Sequence, residues 1–393
     1  MTRDAVILDG ARTPMRRFLG DFARTSAIEL GAVAARGALE RAGVRPDDVQ
    51  HVVIGNAQQT STDAVYGARH VALKAGIPEP VPALTVNRLC GSGIESIVIV
   101  SRMIQAGEIE VGLGGGMENM SMAPHVLYGA RGGFRMKDAT LQDSLVAALT
   151  DSYCGCTMSG TSDNLARRYG ISREAQDEFA LQSQQRAAAA RAEGRLGEEI
   201  VAVEVSGRAG AYAVVEDDNL RPDTTLETLA ALSPAFGRES FVTAGNASGI
   251  VDGGAAVVVA SDEWARQHEL TPLARVVAWA HVGVDPSHMG IGPVPATERL
   301  LVHAGWKLDS VDVFEVNEAF AGQYLAVEAE LGLDRAKVNV NGGAIALGHP
   351  LGMTGTRIAY AAVRELRRRG GGRAVATACI GGGQGIALAL EAG

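Results

Sequence analysis

Arg36-Gly37-Ala38-Leu39-Glu40-Arg41-Ala42-Gly43-Val44-Arg45-Pro46-Asp47-Asp48-Val49 and Glu298-Arg299-Leu300-Leu301-Val302-His303-Ala304-Gly305-Trp306-Lys307-Leu308-Asp309-Ser310-Val311 follow one plan in one register. Each runs from a helical pattern through an Ala-Gly stop into an acidic turn, the glycine supplying the left-handed residue that ends a helix. Each then enters an apolar run of strand length, closing on Ile54-Gly55-Asn56-Ala57 in the first copy and Val316-Asn317-Glu318-Ala319 in the second. Further on, Val86-Asn87 before Cys90 corresponds to Val340-Asn341 before His349, and Gly114-Gly115-Gly116 is matched with Gly381-Gly382-Gly383. Internal similarity of this kind predicts a duplicated α/β unit.

Outward from the repeat, strand-length runs at 5–8, 51–55 and 83–86 alternate with helical patterns over 27–42, 63–75 and 92–106, and a further strand leads into Gly114. That alternation predicts an α/β sheet protein. The 92–106 segment carries Ile94, Ile97, Val98, Ile99, Val100, Met103 and Ile104, apolar on most sides, so it is expected to lie buried between layers with a deep site before it. Between 118 and 248 the pattern breaks into loops, a helix over 173–192 and short strands near 200–205 and 211–215. The expected domains are an N-terminal half, 1–117, completed by 249–270; an inserted loop domain, 118–248; and a C-terminal half, 271–393. The inserted stretches Arg131-Gly132-Gly133-Phe134-Arg135 and Asp217-Asp218-Asn219-Leu220-Arg221-Pro222 are expected to be exposed loops that bind or gate.

Composition narrows the function. The 393 residues carry a net charge of −9, a field that repels polyanions and argues against a nucleic-acid partner. No apolar run approaches the ~20 residues of a membrane span, and Met1-Thr2-Arg3-Asp4 lacks a signal-peptide stretch, so a soluble cytoplasmic protein without a membrane partner is expected. Four cysteines are too few for a disulfide framework. Cys154 and Cys156 form a C-x-C pair with no second pair at zinc spacing, so no metal is expected and the two are taken as loop thiols.

Four positions carry chemistry at equivalent strand ends of the two halves. Cys90 stands where a strand turns into the buried helix, a setting expected to lower its thiol pKa into the ~3.5–7.5 range. His349, in a glycine-dense turn before a helix, stands at the equivalent place of the second half and suits a base that activates a thiol. Cys379 precedes Gly381-Gly382-Gly383, but only eight residues follow Gly385, too few for a dinucleotide-binding helix, so the glycines are expected to offer backbone N–H groups to an oxyanion. Asn317 follows a strand and suits holding a water or substrate oxygen.

Cys90 within 87–93, Asn317 within 317–320, His349 within 342–352 and Cys379 within 379–385, in this order and together with 243–249 and 115–121, resemble the thiolase family over essentially the whole chain. The resemblance implies two α/β halves stacked as αβαβα layers under a loop domain, and a homodimer or homotetramer. It implies an acyltransferase of coenzyme A thioesters, with acetyl-CoA, CoA and 3-ketoacyl-CoA as partners and no cofactor. In this scheme Cys90 is the nucleophile, His349 its base and Cys379 the acid/base for the α-carbon. His349 and an Asn317-held water serve one oxyanion, and the N–H groups of Cys90 and Gly381 the other. By the same resemblance Ser248 and Ala244 contact pantetheine, Phe236, Ala319, Phe320 and Leu149 line the tunnel, Arg221 meets the nucleotide, and Met158 and Met289 border the acyl pocket. One departure is visible: short-chain members commonly read His-Met-Gly where this chain has Thr157-Met158-Ser159, which leaves room for medium or branched 3-ketoacyl chains. A non-catalytic CoA-binding subunit and a Cys-His thioester hydrolase are the readings from other classes.

Overall fold

Both copies of the repeat form the helix, stop and strand that their patterns require. In the first copy Ser26 and Glu29 close a capping box on α1 (Ala27–Ala42), and Gly43 ends the helix at φ 65°. The computed structural model describes residues 3–136, 138–207 and 210–393. The first half comprises β1 (Ala5–Arg12), α1, β2 (His51–Gly55), α2 (Gly67–Lys74), β3 (Ala83–Val86), α3 (Ser92–Gln105), β4 (Val111–Glu118) and β5 (Val251–Ser261). The second comprises β6 (Ala274–Gly283), α4 (Pro293–Ala304), β7 (Val313–Val316), α5 (Ala321–Leu331), α6 (Leu351–Arg369), β8 (Gly372–Ile380) and β9 (Gln384–Ala392).

The strands run in the order β7-β8-β9-β6-β1-β5-β4-β2-β3. Among the described residues, the strands of the two halves pair only where β1 meets β6, at Val6↔Arg275 and Ile7↔Ala274. In each half a parallel pair, β2 with β4 and β7 with β8, is followed by antiparallel partners. The place of β3 is taken in the second half by one bridge, Phe314↔Val338.

This pairing corrects one sequence correspondence. Ile54 pairs with Gly115 as Val316 pairs with Thr377, which sets Gly114–Gly116 at the places of Ala376–Ala378 and Met117 at that of Cys379. Gly114, Gly115 and Gly116 are buried in mid-strand, whereas Gly381, Gly382 and Gly383 form the turn between β8 and β9.

Five layers follow from where the apolar residues go. Ile28 and Leu39 of α1 and Val71 of α2 pack on Val52, Leu113 and Val258. Ile94 and Val98 of α3 and Ile358 and Val363 of α6 lie between the sheets, against Val53, Val257, Ile380 and Leu388. Leu300 of α4 and Tyr324 of α5 cover the far side with Phe314 and Val375. Each such side chain taken fully out of water contributes about 1.5–3 kcal/mol. Between the central helices the backbones touch: a Cβ on Gly93 would lie 2.3 Å from the Thr356 nitrogen, and one on Gly355 would lie 2.4 Å from that of Ile94. Only glycine permits that crossing, and it draws the residues preceding α3 and α6 together.

The inserted region holds the helices Met158–Tyr169 and Arg173–Ala192 and the hairpin Val203–Gly207 with Gly210–Val214. It is fastened to β1 by the buried Arg12, which donates to Glu199 at 2.8 Å and to both oxygens of Asp217 at 2.8 and 2.9 Å. Here the sequence expectation fails in part. Residues 131–135 are exposed, but Asp217 and Leu220 are buried, because one neutralises Arg12 and the other joins a core with Val251 and Leu347. Among the described residues no helix is long and apolar enough to cross a membrane.

Candidate active site

Cys90 occupies the single turn Leu89–Gly91 that feeds directly into α3. Local hydrogen bonds hold that turn. Asn87 Oδ1 accepts the Leu89 N–H at 2.9 Å, while Ser92 Oγ accepts from the Arg88 N–H at 2.8 Å and donates to the Leu89 carbonyl at 2.7 Å. They keep Leu89 at φ 45°, a left-handed conformation that a leucine adopts only under constraint. Gly91 lies so close to β8 that a Cβ there would meet Ile380 Cδ1 at 2.6 Å, and the Cys90 sulfur faces the N–H of Gly381 as well as its own.

The thiol does not behave as the helix N-terminus predicted. Burial pushes it up to about 11, the Glu118 carboxylate adds to the rise, and the two N–H groups offset only part of it. Desolvation of an anion outweighs a helix-end dipole here. Cys379, fully buried near the end of β8, is also pushed well above the ordinary thiol range, first by burial and then by Cys90 beside it.

His349 precedes α6 and is buried. Its Nδ1 lies 2.6 Å from Thr354 Oγ1, whose own hydrogen is donated to the Pro350 carbonyl at 2.9 Å. Thr354 therefore accepts from Nδ1–H, which leaves the lone pair on Nε2. Nε2 faces Asn317 Nδ2 at 3.3 Å. Burial first, and the Arg357 guanidinium second, push the imidazole down to about 3, so it stands as a neutral base. Asn317 is fully buried and its N–H is bonded to the Thr377 carbonyl at 2.9 Å. Its Oδ1 has no partner, and an orphaned buried acceptor of this kind costs about 1–3 kcal/mol unless a water or ligand meets it.

The fold thus assembles two neighbouring groups, Cys90 with Cys379 and Gly381, and His349 with Asn317. They are linked through β7 and β8, since Asn317 is bonded to a residue two before Cys379 and Ala319 packs on Cys379 itself. Leu351, two residues past His349, shares an apolar cluster with Cys90 and Leu149. Met158, Met289 and Phe320 surround Cys379, and the Met158 sulfur would be 3.4 Å from a Cβ on Gly381. Ser248 donates its N–H to Ala319 at 3.1 Å, which ties the 243–249 loop to this wall. Ala244 and Arg221 line a neighbouring cavity of 410 Å³ with Asn219, Gly245 and Gly249. Phe236, 58% exposed, belongs to neither group. A larger cavity, 960 Å³, opens between α1 and the Val203–Gly207 strand and includes none of these residues.

Two residues of the site escaped the sequence reading. Glu118 accepts the N–H groups of Ala57 and Gln58 at 3.0 Å and of Gly352 at 2.8 Å, and so binds the start of α6 to the first half; burial pushes it up to about 7. Its stretch, 115–121, carries part of the family resemblance, but a glutamate after a glycine-rich strand has no distinguishing local pattern. Thr354 stands one turn beyond His349, a spacing that is informative only once the turn geometry is known. Thr157, where short-chain members carry histidine, caps the helix Met158–Tyr169 by accepting the Gly160 N–H at 3.0 Å.

Comparison with known proteins agrees along the whole chain. Residues 5–263 match the family model for the thiolase N-terminal domain and residues 270–392 that for the thiolase C-terminal domain. The chain is 48% identical over 390 residues to the acetyl-CoA acetyltransferase of Cupriavidus necator, covering 99% of each. It is 49% identical over 392 residues to the human mitochondrial 3-ketoacyl-CoA thiolase, covering 100% of this chain and 99% of that one. The crystal structure of the human enzyme in complex with CoA superposes with a TM-score of 0.97 at 49% identity, over 100% of this chain and 98% of that one.

Proposed function

The chain belongs to the thiolase family, and on that premise we propose that it catalyses the reversible Claisen condensation of two acetyl-CoA to acetoacetyl-CoA and CoA, and the thiolytic cleavage of 3-ketoacyl-CoA in reverse. The observation that carries the reading is the approach of the Cys90 and Cys379 sulfurs, with the Gly381 N–H on Cys90, at a wall that Leu351 and Ala319 connect to the neutral imidazole of His349 and to Asn317.

His349 Nε2 takes the Cys90 proton as the sulfur attacks the thioester carbonyl. The N–H groups of Cys90 and Gly381 receive the oxyanion, and collapse expels the CoA thiolate, which takes the Cys379 proton. Acyl transfer between thiols is nearly isoenergetic, so this half needs no external driving force. The Cys379 thiolate, made strongly basic by burial, then removes an α-proton from the second acetyl-CoA, a very weak carbon acid. His349 and a water on Asn317 stabilise the enolate oxygen. Enolate attack on acetyl-Cys90 forms the carbon–carbon bond and releases the Cys90 sulfur, which recovers its proton from His349. The order is ping-pong. No cofactor enters; CoA thioesters are the substrates.

CoA lies along the 243–249 loop and the cavity of Ala244 and Arg221, which points its acyl end toward Leu149, Met158 and Met289. The free edge of β3, with Leu84 44% exposed and Val65 and Tyr66 beside it, supports a homodimer, and exposed Tyr128, Phe134 and Met136 support its pairing into a tetramer. Four free cysteines fit a reducing cytoplasm.

Mixing the protein with acetyl-CoA is expected to leave one acetyl group on Cys90 by mass spectrometry; turnover persisting in Cys90→Ala refutes the reading. Thr157, standing where short-chain members commonly carry histidine, favours a second reading, a degradative 3-ketoacyl-CoA thiolase of medium or branched chain preference. A chain-length series separates the two, a maximum at four carbons supporting the acetyltransferase.

A further inference from the structure

The C-x-C pair occupies a more telling place than its sequence suggested. Cys154 and Cys156 sit at the tip of a short hairpin in which Thr150 pairs with Thr157 and Asp151 with Cys156. Gly155 turns at φ 70° with its N–H on the Asp151 carbonyl at 2.9 Å. A turn through a left-handed glycine is how two residues one apart approach the roughly 4.4–6.8 Å Cα separation that a disulfide accepts. Cys156 Sγ lies 3.7 Å from the Cys154 carbonyl, which sets it on the Cys154 side of the turn, and burial first and Cys154 next push the Cys156 thiol up. Both are free and partly exposed, beside Tyr153 at 89% exposure.

The base of this hairpin belongs to the candidate site. Met158 donates its N–H to the Leu149 carbonyl at 3.0 Å, directly past the Thr150–Thr157 pair. Leu149 packs in the cluster of Cys90 and Met158 in that of Cys379. Between tip and site there is no flexible linker, only one pair of bridged residues and the first turn of a helix capped by Thr157.

We propose that Cys154 and Cys156 form a dithiol site that hydroperoxides oxidise to a disulfide, and that closing this bond shifts the acyl-pocket wall built by Leu149 and Met158. The step balances without a metal or a further reductant. The Cys154 thiolate attacks a peroxide oxygen, the O–O bond breaks, and the departing hydroxide leaves as water with the Cys154 proton. Cys156 sulfur then attacks the sulfenic Cys154 sulfur; the S–S bond forms and the S–O bond breaks. The hydroxide released takes the Cys156 proton as a second water. Two thiols lose two electrons and one hydrogen peroxide gains them. Cys379 is protected by comparison, being fully buried, whereas Cys90 is half-buried like the pair.

The experiment treats the whole protein with hydrogen peroxide, blocks remaining thiols after denaturation, and weighs the peptide that holds both cysteines. It then compares turnover of acetoacetyl-CoA with that of a longer 3-ketoacyl-CoA. The expected result is a peptide lighter by two hydrogens, with Cys379 still alkylated. The activity ratio is expected to change by about tenfold, the worth of one methylene of pocket contact. Dithiothreitol reverses both effects, and Cys154→Ser, at a partly exposed turn, abolishes both. Oxidation of Cys90 while Cys154 and Cys156 stay reduced overturns the site; a disulfide that leaves the ratio unchanged overturns its link to the pocket. That second half rests on the thiolase reading, whereas the peptide mass does not, so failure of one is distinguishable from failure of the other.

Discussion

Burial moves His349 and Cys90 in opposite directions along the pH scale, the imidazole down to about 3 and the thiol up to about 11, because in each the charged form is the one that loses water. Both residues are therefore neutral at rest, and in the proposed mechanism the proton passes between them as the sulfur attacks. The expected kcat/KM for acyl transfer is flat between about pH 4 and about pH 10 as far as these two groups set it. A limb near the ordinary histidine value in the pH–rate profile overturns that assignment. Glu118 gives a test of opposite kind, by stability. Its folded-state value is raised from 4.5 to about 7, so its favourable contribution is present below 4.5 and is lost as pH rises through 7. Glu118→Gln lacks this loss. Its stability relative to the parent is expected to improve by about 3 kcal/mol from pH 4.5 to pH 7, whatever constant penalty the amide adds, in paired urea denaturations. An unchanging difference refutes the buried-carboxyl account.

At the scale of elements, the proposed chemistry depends on α3 and α6 crossing at glycine. Gly355→Ala places a methyl group against the Ile94 nitrogen, and since backbone cannot rotate away as a side chain does, the helices must separate. The expected cost is about 1–3 kcal/mol in urea unfolding, accompanied by loss of Cys90 acylation as the two preceding turns part. A variant as stable and as readily acylated as the parent shows that the crossing is slack. The helix itself was legible, since the apolar run from Ile94 to Ile104 predicts burial on most sides and the structure buries Ile94, Ile97, Val98 and Ile104. Its contact with α6 was not, because glycine in a helix has the same local signature whether it faces solvent or another backbone. The match of Gly114–Gly116 with Gly381–Gly383 failed for a related reason: three glycines are as compatible with a close-packed mid-strand as with a turn, and only strand pairing separates them.

At the scale of the molecule, the nine-strand path ends on one side at β3, whose outward edge carries Leu84 with no neighbouring strand among the described residues. An apolar unpaired edge is the place where a second copy adds. Leu84→Lys is expected to lower the mass seen in sedimentation equilibrium to that of one chain while leaving the far-ultraviolet circular dichroism unchanged. An unchanged mass refutes the proposed pairing through this edge.

By itself the sequence determined the duplication, the alternation of strand and helix, the buried central helix, and Cys90, Asn317, His349 and Cys379 as the residues to examine. Those follow from periodicity, helix stops and unusual residue types, which are local properties of a chain. Only the tertiary structure decided that the Cys90 thiol is raised rather than lowered, that Thr354 chooses the tautomer of His349, that Asp217 is buried against Arg12, and that the C-x-C turn adjoins Leu149 and Met158. Each of these depends on how much water is excluded and on which distant segment does the excluding, and neither quantity is carried by neighbours along the chain.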